Sequence, residues 1–323
     1  MSGAPVATNK SGQQRASGLI VPPAMGPMSD VPGLTPENAA AWVDDKVAKL
    51  QEEIDALNAE IRALRRRDET INYYMQRVDE EMRLAAKLQR DFLPKTMPEV
   101  GPVRFHTLFR PAGYVSGDLY DVVRLDERNV AFYVADAVGH GMPAALLTMF
   151  MKRALVTKQI LTGRYRLMRP GETMHLLNQA LLDQHLEQAT FATALYGVIN
   201  CETLAVSFAR AGHPCPLILR KDGGVDELQA DGGLLGIFED ETYEEGNSQL
   251  APGDRLLLFT DGVEVAFSKG DTVDIDRWKS ELLARRGMKT DELLLDLSNH
   301  LDNECSSLDA KDDLTMIVAE VIE

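Results

Sequence analysis

A chain of 323 residues is too long for one ordinary domain and suits one large domain plus an extension. Its 50 acidic against 34 basic side chains leave a formal net charge of -16, which argues against nucleic acid or an anionic membrane as the main partner, although an acidic total can hide a local basic patch. Cys201, Cys215 and Cys305 lack the spacing of a metal cluster or a disulfide framework. No apolar run reaches membrane-spanning length and no basic segment followed by an apolar one opens the chain, so a cytoplasmic protein is expected.

Residues 1–35 are rich in Ser, Gly, Pro and Ala without an apolar period, and a disordered tail is expected there. Pro36 and Glu37 then open a long helix, with Thr35 placed to cap it. Apolar residues recur at steps of three and four: Ala40, Val43, Val47, Leu50, Ile54, Leu57, Ile61, Leu64, then Ile71, Met75, Val78 and Met82. This heptad spacing turns a narrow stripe toward a partner helix. No second helix of matching length precedes the next region, so the expected partner is another copy of the chain, in a parallel homodimer favoured by β-branched residues at most first heptad positions and leucine at the fourth. Asp68, beside Arg65, Arg66 and Arg67, interrupts the seam; it either sets the register or marks a point where the helices can rearrange. Near Leu84 and Leu88 the stripe changes, and Pro94 ends the helix. Residues 36–92 are thus a coiled-coil dimerisation and linker helix, and residues 93–323 a separate domain.

That domain starts with a strand from Val103 to Arg110. Next come a short apolar segment, Tyr120 to Leu125, and a nearly continuous one, Val130 to Ala135, which reads as a strand covered on both faces. Gly139 and Gly141 allow a tight turn, and Pro143 fits the first turn of a helix. Helices over about 143–160 and 173–188 follow, then strands around 191–199, 204–210, 215–220 and 255–260. Helices around 276–285 and 290–303 and a strand over 314–321 close the chain. This order implies an α+β layered fold.

Four aspartates stand at strand edges beside turns: Asp118 in a Gly-Asp turn, Asp136 at the end of its apolar run, Asp261 in Thr-Asp-Gly, and Asp312 just before the closing strand. If they converge, their mutual repulsion must be neutralised. Hard divalent cations such as Mg²⁺ or Mn²⁺ suit oxygen-only ligands of this kind.

The motifs GD-x-YD at 117–121 and D-x-x-GHG-x-PAA-L from Asp136 resemble the SpoIIE/RsbU group of bacterial PPM (PP2C-like) metal-dependent serine/threonine phosphatases. FATALYGVI at 191–199, AGHPCPLIL at 211–219, Leu235-Gly236, APGDRLLLFTDGVE at 251–264 and KDDLTMIV at 311–318 continue the resemblance in the family's order. The segment 80–94 is similar to the linker helix that enters this phosphatase domain. The resemblance implies a PPM-type β-sandwich flanked by helices and two ions, Mn²⁺ or Mg²⁺. It makes Asp136 the carboxylate bridging both ions, Ala137 a ligand through its carbonyl, and Asp118, Asp261 and Asp312 the holders of the second ion. A water between the ions would attack phosphorus in line, with no covalent enzyme intermediate. The implied substrate is a phosphorylated STAS-domain anti-sigma factor antagonist in a partner-switching stress or developmental pathway. The break at Asp68 and the change near Leu84, where two registers lie close in energy, are where an upstream regulatory protein is expected to rotate the helices.

Asp313 and Asp121 read as capping or hydrogen-bonding residues, with Asp313 the alternative to Asp312 as ligand. His140 and His213, in Gly-flanked turns, read as loop-orienting residues. Ser116 stands where the group commonly has a second glycine, Ala137-Val138 replaces the more usual Val-Ser, and Glu264 comes one residue before the group's usual glutamate position, occupied here by Val265. A cysteine phosphatase is excluded, because the positions where its arginine belongs hold Ser207, Lys221 and Lys311. A serine hydrolase lacks its nucleophile elbow, the nearest match at Ala266 to Gly270 missing the first glycine. The remaining alternative is a non-enzymatic coiled-coil adaptor that uses a phosphatase-like fold for binding.

Overall fold

The computed structural model describes residues 35, 37–186, 190–266, 275–304 and 312–322. The expected disordered tail and Cys305 lie outside these residues. In chain order the elements are α1 (Ala39–Phe92), β1 (Val103–Arg110), β2 (Asp118–Arg124), β3 (Asn129–Ala137), α2 (Met142–Ala154), β4 (Lys158–Leu161), β5 (Arg164–Leu167), α3 (Pro170–Leu182), β6 (Ala192–Asn200) and β7 (Ala205–Ala211). They continue with β8 (Leu217–Leu219), β9 (Val225–Glu227), β10 (Glu245–Gln249), β11 (Arg255–Phe259), α4 (Asp261–Ala266), α5 (Ile275–Ala284), α6 (Thr290–Glu304) and β12 (Leu314–Val321).

The chain divides into two compact units, residues 1–75 and 76–323. In the first, the Thr35 carbonyl accepts the amide of Ala39 (3.0 Å), while the Asn38 side chain accepts the amide of Thr35 (2.6 Å), so the helix start satisfies its own donors. The heptad residues from Val43 to Met75 are exposed, from 38% at Val43 to 64% at Met75. A stripe of that kind cannot be explained by packing within this unit.

The second unit holds two five-stranded antiparallel sheets, ordered β1-β12-β11-β8-β9 and β10-β7-β6-β3-β2. Alternation along the strands builds the layers. On β11, Leu256 and Leu258 face the other sheet in a core shared with Leu119, Val134, Leu195 and Phe208. Leu257 and Phe259 point the other way, onto Trp278, Leu282, Leu293 and Leu297 of α5 and α6. Met151 of α2 and Met174 and Leu177 of α3 join the larger core. The result is the α+β sandwich with outer helices that the motifs implied.

Several element boundaries differ from expectation. The helix expected over 143–160 stops at Ala154, because Leu155 takes an extended conformation and the β-branched Val156 and Thr157 follow; a two-stranded ribbon, β4–β5, replaces its last turn. α3 starts earlier than expected, at Pro170, where the Glu172 carboxylate accepts the amide of Arg169 (3.0 Å). β9 and β10 were not expected, since Val-Asp-Glu and Glu-Gly-Asn-Ser-Gln carry almost no apolar alternation.

Candidate active site

In the antiparallel register of β2 and β3, Asp118 lies directly opposite Asp136, and Asp136 lies opposite Thr193 on β6. The other two acids arrive from the second sheet: Asp261 follows β11 and Asp312 precedes β12. Gly262 makes that approach possible, because a Cβ there would meet the Asp313 carbonyl oxygen at 2.0 Å. Any side chain would push the two acidic turns apart.

Asp118 is 1% exposed. Its Oδ2 accepts hydroxyl hydrogens from Thr260 (2.8 Å) and Thr315 (2.6 Å), both from the opposite sheet, and Thr315 donates its amide to Thr260 Oγ1 (3.0 Å). A buried carboxylate thus pins the two sheets together at the floor of the site. The Asp118 amide donates to Ser116 Oγ (3.1 Å). Ser116 is itself gripped at both backbone groups by the buried Gln89 near the end of α1: Nε2 donates to the Ser116 carbonyl (2.6 Å) and Oε1 accepts its amide (2.9 Å). Serine therefore does more here than replace a glycine, since its hydroxyl holds the turn that carries Asp118.

The acids share one electrostatic field. Burial raises the Asp118 carboxyl well above the usual range, Asp136 adds to the rise, and the two threonine hydroxyls oppose it. Asp136 is pushed up to about 7, first by burial and then by the charges of Asp261, Asp312 and Asp313. Asp261 and Asp312 stand exposed at the rim, and both are raised by partial burial, with Asp261 the next cause at Asp312. Neither Lys nor Arg is among the described groups acting on Asp136.

Among the described residues, no group of three or more His, Cys, Asp or Glu side chains is already gathered as a cation cage. The donor chemistry nonetheless fits a hard divalent ion, being all oxygen and poor in positive charge. Ala137, whose carbonyl is the expected backbone ligand, closes β3 beside Asp136 and is fixed by its amide's bond to the Gly117 carbonyl (3.1 Å).

Asp313 has a structural task. Its two carboxylate oxygens accept the amides of Ala112 and Gly117, each at 2.6 Å, so it clamps the loop that leads into Asp118 while Asp312 is left at the rim. Asp121 pairs with Lys152 (2.9 Å). His140 is exposed in the Gly139–Gly141 turn and its charge acts on Asp312. His213 is buried with Nδ1 2.8 Å from the Thr193 hydroxyl, and burial with the Arg210 charge lowers its pKa to about 3, which removes it as a proton donor near neutrality. The side chain of Glu264 lies outside the described residues.

Sequence reasoning missed Thr260, Thr315, Ser116 and Gln89 as parts of the site. The two threonines carried a signal, each standing in an acidic motif at a strand end, in FTDG and DDLT. Gln89 carried none, because a glutamine on a helix otherwise looks like a solvated residue.

A family model described as Stage II sporulation protein E (SpoIIE) matches residues 126–322. The phosphoserine phosphatase RsbU of Bacillus subtilis is 30% identical over 196 residues, 60% of this chain and 56% of RsbU. The phosphoserine phosphatase RsbP of the same organism is 33% identical over 188 residues, 57% of this chain and 45% of RsbP. The chain therefore spans about half the length of these curated relatives. Among solved structures, the SiaA-PP2C domain of Pseudomonas aeruginosa superposes with a TM-score of 0.63 at 22% identity, covering 76% of this chain and 98% of that one. The RsbU and RsbW domains of a Mycobacterium tuberculosis protein give 0.58 at 21% identity, covering 70% and 62%. At such identities these two likenesses speak for the fold alone.

Proposed function

The chain belongs to the SpoIIE family, and from that premise we propose that it is a metal-dependent phosphatase acting on phosphoserine or phosphothreonine in a protein. The observation that carries the reading is the pairing of Asp118 with Asp136 across β2 and β3, with Asp261 and Asp312 delivered to the same edge from the other sheet. Asp136, Asp118, Asp261, Asp312 and the Ala137 carbonyl would hold two Mn²⁺ or Mg²⁺ ions. When bound, such ions make water acidic enough to supply a nucleophile near neutral pH and offset charge on phosphoryl oxygens. The chain's own part is to fix the donors: Thr260 and Thr315 hold Asp118, Asp313 holds the loop before it, and Gln89 holds Ser116.

The substrate we infer is a phosphorylated STAS-domain protein in a partner-switching pathway; the resemblance and the names of RsbU and RsbP as phosphoserine phosphatases support it. The exposed heptad stripe of α1 supports a parallel homodimer, and an upstream regulatory protein would act through that helix. No helix among the described residues is long and apolar enough to cross a membrane, and we place the protein in the cytoplasm. The test is Mn²⁺-dependent phosphate release from phosphorylated STAS-domain proteins, compared with the Asp136→Asn chain. Wild-type rates in excess EDTA sink the metal-dependent reading, whereas no phosphate release even at saturating Mn²⁺ leaves the non-enzymatic adaptor alternative in its place.

A further inference from the structure

The β4–β5 ribbon stands apart from both large sheets. It is firmly rooted and freely tipped. At the root, Met168 donates its amide to Thr157 (2.9 Å), the Thr173 hydroxyl donates to the Val156 carbonyl (3.0 Å), Arg166 pairs with Glu172 (2.7 Å), and Lys158 reaches the Leu125 carbonyl. At the tip, Ile160 is 87% exposed, more than any other large apolar side chain among the described residues. Ile160 lies directly opposite Tyr165 on one face, and the Lys158 ammonium sits 5.1 Å from the Tyr165 ring centre. Leu161 is also exposed. Two four-residue strands are marginal in water on their own, and the Ile160–Tyr165 pair on this ribbon is left to solvent by the rest of the described chain.

Charge separates the ribbon from the rest of the chain. Residues 152–169 contain six Lys or Arg and no Asp or Glu, which leaves the remaining residues six charges more acidic than the total of -16. Asp121, Glu172 and Glu245 answer some of these cations from neighbouring elements, whereas Arg153 and Arg164 are exposed and make no ion pair among the described residues. The thirteen-residue α2 helix, about 20 Å long, separates the ribbon's root from the Gly141 turn that follows Asp136.

We propose that the β4–β5 ribbon is a docking arm for an acidic protein partner, which seats Ile160 and Tyr165 in an apolar recess and meets Arg164 with carboxylates. Two features select a protein over a bilayer. In this two-stranded sheet the outer edges pair with no further strand among the described residues, and a partner strand satisfies their backbone groups by β-addition whereas hydrocarbon does not. An anionic bilayer also confronts the whole acidic chain, whereas a protein's acidic patch is met by the ribbon alone, within a Debye length of about 8 Å.

The test uses the full chain and a fluorescent random copolymer of Glu and Tyr, with poly-Glu as the charge-only probe, read by anisotropy. The wild type is expected to bind the copolymer more tightly than poly-Glu, and the affinity falls as NaCl is raised from about 0.05 to 0.3 M. Ile160→Ser with Tyr165→Ser, and separately Arg164→Glu, each weaken binding about tenfold or more, while Thr162→Ala at the turn does not. These side chains are exposed, so the melting temperature stays at the wild-type value in every variant. Failure of the wild type to bind the copolymer, equal binding by the variants, or equal affinity for poly-Glu overturns the proposal. So does ribbon-dependent sedimentation with phosphatidylcholine vesicles containing about 30 mol% phosphatidylserine, which would make the arm a membrane contact.

Discussion

Replacing Thr315 by valine removes one hydroxyl from the floor of the site and little else. The residue is fully buried, its Oγ1 donates to Asp118 at 2.6 Å, and the two side chains nearly match in volume. A hydrogen bond to an ionised partner contributes about 1.5–3 kcal/mol, and to a neutral one about 1 kcal/mol. Burial, and after it the Asp136 charge, disfavour the ionised form of Asp118, so the lower figure is taken without metal and the higher one where a cation holds the carboxylate ionised. For a folded unit of this size, 1 kcal/mol corresponds to about 2–4 °C in melting temperature. Thr315→Val should therefore melt about 2–4 °C below the wild type in EDTA. The gap should widen to about 3–12 °C at saturating Mn²⁺, read by differential scanning calorimetry with exposed Thr162→Val as control. Equal losses in EDTA and in Mn²⁺ would show that the threonine supports the sheet packing and not the charged form of Asp118, and no loss at all would refute the buried bond.

Asp136→Asn should abolish phosphate release while raising the melting temperature in EDTA, because it deletes a charge repelled by Asp261 and Asp312; measurable turnover above background refutes its role. The folded pKa of Asp136, about 7, lies above its unfolded value of 3.8, so the native state holds the extra proton between these limits. Stability in EDTA should then fall as pH rises from about 4 to 7 and level off above, whereas saturating Mn²⁺ should reverse that slope; a flat profile in both conditions counts against the shared field. Asp68→Leu should fill the gap in the heptad seam and tighten the dimer, seen as a lower dissociation constant in analytical ultracentrifugation, and a wild type that is monomeric at micromolar concentration removes the coiled-coil dimer altogether.

Local patterns made the sandwich legible where one strand face is apolar. Val130 to Ala135 and Leu256 to Phe259 announced β3 and β11, and the closing strand Leu314–Val321 was read to the residue. β10 stayed hidden because Glu245–Gln249 holds its place at the sheet edge through backbone pairing with β7 and not through side chains. The β4–β5 ribbon stayed hidden for a different reason: Leu155 and Val156 after α2 prolong its helical period, and only the β-branched pair Val156–Thr157 and Gly163, with φ at 75°, mark the break.

The same division runs through the site. All four aspartates could be found, because each sits beside a glycine or a turn that a reader of one sequence can see. Most of what holds them could not, because apart from the Ser116 hydroxyl on the Asp118 amide these supports cross between segments distant in sequence. Asp313 reaches back to Gly117, Thr315 to Asp118, and Gln89 forward to Ser116. These bonds exist only once the two sheets have closed on each other and α1 has docked its last turns. Gln89 is the most consequential of them. It joins the helix that carries the heptad stripe to the turn that carries Asp118, with only Ser116 between, and both of its amide groups are spent on that one residue. A shift of the last turns of α1 must therefore break two buried hydrogen bonds, stranding the Ser116 backbone groups, or pull on a turn that Asp313, Thr260 and Thr315 also hold.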